Sequence, residues 1–137
     1  MNKVMGAAVL AGHGLIHLIG FVVLWQLAVV DGFAYRTTAL GGALALGDVG
    51  ARLIGAACLV LGVGFVLEAV VTWRGTRQAA GLTAVLAAAS IIVCVLGLPE
   101  TVAGIVVNIA ILAVLGWTMI GRTSTGVGAG ASAGLRA

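Results

Sequence analysis

The chain has 137 residues, 62% of them hydrophobic and only 8% charged, with a formal net charge of +3. Globular domains usually carry about a quarter charged residues, and the mean hydropathy here is +1.26. The basic residues never cluster into a stripe, which excludes a nucleic-acid footprint; the composition as a whole points to a polytopic membrane protein.

The first apolar run, residues 4–30, reads VMGAAVLAGHGLIHLIGFVVLWQLAVV and holds both histidines of the chain, His13 and His17. It is too long for the apolar core of a signal peptide, and its histidines interrupt it. The spacing HGLIH puts two imidazoles one helical turn apart on a stripe with Gly6, Gly20 and Leu24. It is not HExxH, because Gly14, Leu15 and Ile16 supply no internal base. Residues 31–49 form the one sizeable connection. Their Gly-rich, apolar middle reads as an interfacial or re-entrant piece, or as packing against the helix ends.

The second run, 50–73, carries Ala57, Leu61, Gly64, Glu68 and Thr72 on one face. The third, 79–98, carries Thr83, Ala87, Ser90, Cys94 and Gly97 at steps of three and four. GLPET, with Pro99 and Glu100, makes a tight turn into the fourth run, 101–120, where Gly104 and Asn108 share a face. Residues 123–137 lack apolar periodicity and read as a disordered cytoplasmic tail, leaving 1–122 as the folded domain.

Each run is long enough to span at about 1.5 Å per residue. The expected fold is therefore all-α, with four transmembrane helices in an antiparallel bundle in a bacterial inner (cytoplasmic) membrane. Lys3, Arg74, Arg77, Arg122 and Arg136 then fall on one side without any acid, which puts both termini in the cytoplasm. Trp73 and Trp117 would mark that interface, Trp25 and Tyr35 the other.

Counting helical rise from these boundaries pairs Glu68 with His13 as an ionisable, proton-exchanging pair. It places His17, Ser90 and Asn108 in a second, central layer. These five residues are the ligand or proton-relay candidates, and His13, His17 and Glu68 the candidate metal ligands. Cys58 and Cys94 belong to no CxxC pair and read as small buried hydrophobes.

The leading functional reading is an accessory or assembly subunit of a membrane complex, its polar stripes serving as interhelical glue. The alternatives are an oligomeric proton-linked transporter using His13 and Glu68, a metal- or haem-binding protein, and a membrane-embedded lipid- or quinone-modifying enzyme. The expected partners are membrane lipid and either further copies of the chain or a larger complex. No nucleic acid is expected. The sequence names no cofactor; a transition metal or haem stands only as an alternative, and two imidazoles on one face of one helix cannot clasp one haem iron from both sides. Helix number and size are similar to those of small four-helix dithiol oxidoreductases, multidrug exporters and membrane cytochromes. The decisive residues of each are absent, so no family is assigned.

Overall fold

The computed structural model describes residues 3–75 and 79–133. Four helices follow one another: α1 (Lys3–Leu24), α2 (Gly47–Arg74), α3 (Ala79–Leu96) and α4 (Val102–Ala133). Between α1 and α2 lies a small antiparallel hairpin, β1 (Thr38–Ala39) and β2 (Leu44–Ala45), with Thr38 opposite Ala45 and Ala39 opposite Leu44. A short 3-10 turn, Leu40–Gly42, joins its strands.

α1 stops six residues before its apolar run does. Gln26 takes a positive φ of 55°, and the N–H groups of Gln26 and Leu27 turn back onto the carbonyls of Val23 and Val22. That closure satisfies carbonyls the helix end would orphan. α2 ends in the more usual way: Gly75, at φ 74°, donates to the carbonyls of Val71 and Thr72. α4 continues to Ala133, beyond the end expected near 120–122. Arg77, Arg136 and the last four residues of the expected tail lie outside the described residues.

Two glycines fix how α1 meets α2. A Cβ on Gly14 would stand 2.8 Å from the Gly62 carbonyl oxygen, and one on Gly62 would stand 3.0 Å from the Gly14 carbonyl oxygen. Backbone therefore touches backbone at this crossing. Around it Ala7, Leu10, Leu61, Phe65 and Ala69 form the buried core, and Leu86, Ala89, Val93 and Ile111 pack on it from α3 and α4. The chain is thus two helical hairpins, α1 with α2 and α3 with α4. α2 packs on α3, whereas α1 and α4 hardly approach each other. The outward faces keep large apolar side chains exposed, among them Val60 at 70%, Leu67 at 60%, Val85 at 65% and Ile92 at 66%. Nothing among the described residues covers them.

The four-span expectation is corrected here. Among the described residues two helices, α1 and α2, are long and apolar enough to cross a membrane; the apolar stretches Ala80–Leu96 and Val102–Thr118 are shorter. Run lengths in the sequence included residues that the structure places in turns, such as 25–30 and 97–101. The polar stripes also find hydrogen-bond partners in one another. The supported architecture is an all-α, four-helix bundle with internal polar packing. A four-span bundle with cytoplasmic termini, membrane lipid as partner and an inner-membrane location are not supported. Trp25 and Tyr35 make exposed hydrogen bonds within the chain, donating to the Arg52 carbonyl at 3.0 Å and to Asp48 Oδ1 at 2.7 Å.

The crossing yields a test. Gly14→Ala drives a methyl against a rigid carbonyl, and an overpacked helix contact typically costs about 1–3 kcal/mol. Gly12→Ala meets open space. Thermal or chemical unfolding of both variants should show a loss for the first and none for the second.

Candidate functional site: a cleft with a polar floor

His13 and His17 leave the same face of α1, and their rings meet edge-on at 5.0 Å. Phe65 of α2 supports both, edge-on to His13 at 4.8 Å and stacked with His17 at 5.9 Å. The Gly14–Gly62 crossing brings this aromatic so close. On the other side stands Ser90 of α3. Its Oγ is 2.7 Å from His17 Nε2 and 3.3 Å from His13 Nε2. Asn108 of α4 donates from Nδ2 to Ser90 Oγ at 2.8 Å and to the Gly104 carbonyl at 2.8 Å. Three helices thus converge on one hydroxyl. Ser90 and Asn108 are wholly buried, and the imidazoles nearly so. Asn108 Oδ1 is buried without a hydrogen-bond partner.

Burial sets the protonation of the imidazoles. It lowers His17 to about 4, with the neighbouring His13 adding to the effect. It also lowers His13, against a smaller upward pull from the Asn108 amide. Both rings are therefore neutral near pH 7.

The structure brings His17, Ser90 and Asn108 together and adds His13 to them. It leaves Glu68 apart. The fully buried Glu68 accepts from Thr83 at 2.8 Å and from Thr72 at 3.4 Å, and its Oε2 has no hydrogen-bond partner. The reason is register. His13 stands one residue from the Gly14–Gly62 crossing and Glu68 six, so their heights differ by several ångströms at about 1.5 Å per residue. The expected His13–Glu68 pair rested on counting from helix ends, which carries no information about this crossing.

Above the imidazoles the two hairpins stay apart. A cleft of about 820 Å³ opens between α1 and α4, with His13, His17 and Cys94 at its floor. Its walls include Ile19, Val23, Ile54, Val93 and Val107. At its mouth stand Asp31, Arg36 and Glu100. Residues 31–46 of the 31–49 connection, which the sequence leaves as an interfacial or re-entrant piece or as packing against the helix ends, form the roof. Arg36 pairs with Glu100 at 2.7 Å, and the Gly41 N–H donates to the Leu98 carbonyl at 2.8 Å. Sequence reasoning missed this role, although Asp31, Arg36 and Glu100 are most of the acids and bases near the loop. Cys58 and Cys94 also line the cleft as free thiols. Burial pushes both upward, Cys58 to about 11, so neither is a thiolate near neutrality.

A metal or haem site is corrected as well. Among the described residues no group of three or more His, Cys, Asp or Glu is placed to hold a metal ion, and the carboxylate of Glu68 is engaged by threonines instead of joining His13 and His17. Polar stripes that close on one another leave no support for an accessory or assembly subunit, a transporter, a lipid- or quinone-modifying membrane enzyme, or a homo-oligomeric partner. A compact helical domain with a buried polar network is what the structure supports. No family model, curated protein or solved structure gives a significant match to the chain.

Two outcomes test the network. Ser90→Ala strands a buried amide N–H and two ring nitrogens, and an unsatisfied buried polar group costs about 1–3 kcal/mol. Denaturant unfolding should show a loss of that order, while Val85→Ala, at an exposed position of the same helix, should not. The second outcome is acid sensitivity. His17 has a lowered folded-state value, so the unfolded chain binds more protons below its ordinary value of about 6.5. Stability should fall as pH drops from about 6.5 towards 4, and His17→Gln should flatten that dependence in unfolding curves.

Proposed function

We propose that the protein binds an elongated, largely apolar small molecule in the cleft between α1 and α4, with the molecule's polar end at His13 and His17. The observation that carries this reading is an apolar-walled space ending on two polar rings. Small-molecule sites typically measure about 300–1,000 Å³ and combine apolar walls with a few convergent polar groups; 820 Å³ lies in that range. Along α1 the space runs from His13 to Leu24, a rise of about 16 Å at 1.5 Å per residue. That length suits a chain-like ligand. His13 and His17 meet its head, Ser90 and Asn108 hold the two rings from behind, and the Arg36–Glu100 pair closes the mouth. Glu68 lies outside the cleft and supports the bundle below it.

The test is a thermal-shift and native mass-spectrometry screen of single-chain amphiphiles against the purified protein and Val107→Trp. The indole fills the cleft from a half-buried wall position. Wild-type protein should be stabilised and should retain a bound molecule; the variant should fold, by circular dichroism, and show neither. Equal stabilisation of the two proteins overturns the reading.

A further inference from the structure

The floor of the cleft permits a count of protons. A serine hydroxyl has one proton and two acceptor lone pairs. Asn108 Nδ2 donates into one lone pair of Ser90 Oγ. One proton and one lone pair remain, and His17 Nε2 at 2.7 Å and His13 Nε2 at 3.3 Å face them; the Cys94 thiol, at 4.0 Å from the same oxygen, is the longest contact and a weak donor and acceptor. Both contacts are hydrogen bonds only if one Nε2 is bare and accepts while the other carries hydrogen and donates. A neutral imidazole carries a single N–H, and burial keeps both rings neutral. With both contacts made, the two rings hold opposite tautomers. The ring that is bare at Nε2 has its hydrogen on Nδ1, and the other ring has a bare Nδ1.

The two Nδ1 atoms are the free edges of this arrangement. Both bonds to Ser90 use Nε2, and among the described residues the sealed side-chain atoms without partners are Glu68 Oε2 and Asn108 Oδ1, so neither ring Nδ1 is both sealed and unpartnered. Both rings border the cleft. We propose that Ser90 locks His13 and His17 into opposite tautomers, so that the cleft floor offers one N–H donor and one bare nitrogen acceptor, and that it selects a neutral O–H head group on an apolar chain.

A hydroxyl or a protonated carboxyl meets both nitrogens, donating to one and accepting from the other. A hydrocarbon end meets neither. A carboxylate can only accept and a quaternary ammonium does neither, and the floor carries no full charge to offset either ion. This inference rests on the cleft being the binding site, and its test separates the two.

Binding of decanol, decanoate, decyltrimethylammonium and decane is compared by calorimetry at pH 7. Decanol should bind about tenfold or more tightly than decane and decyltrimethylammonium, the equivalent of one hydrogen bond's worth of discrimination. Decanoate binding with uptake of a proton assigns the head to the carboxylic acid source; tight decanoate binding without proton uptake overturns the neutral-head selection. Equal binding of all four probes overturns it and leaves the cleft standing. No binding of any probe overturns the cleft reading and the selection with it. Independently of any ligand, imidazole nitrogen shifts in NMR spectra of isotope-labelled wild-type protein should show one ring protonated at Nδ1 and the other at Nε2. Two rings in the same tautomer overturn the lock, whether or not Ser90→Ala folds.

Discussion

The Ser90 hydroxyl is the point on which the rest of the structure depends. α1 reaches it through two imidazoles, α4 through Asn108, and α3 supplies it. α1 and α4 have little other reason to stay in register, because they hardly touch elsewhere. Apolar contact alone is non-directional and would let the two hairpins slide. A buried, nearly saturated hydroxyl does not, since any slip strands a polar group away from water. The polar floor therefore both closes the bundle at mid-height and leaves it open above.

Why it stays open follows from the glycines. Gly14 and Gly62 bring α1 and α2 into backbone contact, and a pair held that closely behaves as one rigid arm. Gly104 sits beside Cys94 so tightly that a Cβ there would meet the sulfur at 2.8 Å, so α3 and α4 also pack closely, through a side chain instead of backbone. Two stiff arms tied at one level must diverge beyond it unless large side chains fill the gap. On the facing stretches Gly20, Ala103 and Gly104 are small, and the larger Ile19, Val23 and Val107 line the gap without closing it. The cleft is thus the direct consequence of small residues above a polar tie.

The parts of this arrangement readable in the sequence are those set by local periodicity. Four apolar runs became four helices, and the steps of three and four that align Thr83, Ala87, Ser90 and Cys94 put Ser90 and Asn108 on inward faces. What could not be read depends on contacts between runs. The left-handed Gln26 ends α1 with neither Gly nor Pro to announce it, so LAVV looked like more helix. The Gly14–Gly62 crossing sets the height of α2 against α1, and with it the separation of Glu68 from His13. Composition pointed to four membrane spans because it counts apolar residues without asking which of them fall in turns or pack inside. The roof over the cleft, built from an apolar loop and an ion pair, has no periodic signature at all.

Floor and roof differ in how firmly they are held. The floor is buried, and its hydrogen bonds share a low-dielectric setting in which each is costly to break. The roof is tied by the Arg36–Glu100 pair, whose side chains are 49% and 41% exposed, by the exposed Tyr35–Asp48 bond to α2, and by one backbone bond from Gly41 to Leu98. Exposed ion pairs contribute only about 0–1 kcal/mol, so opening the roof is cheap beside separating the helices. Local opening free energies follow such differences in burial and contact. A molecule reaching His13 and His17 would then pass beneath the 31–46 segment while the four helices remain still, which leaves recognition to a floor already in place before the molecule arrives.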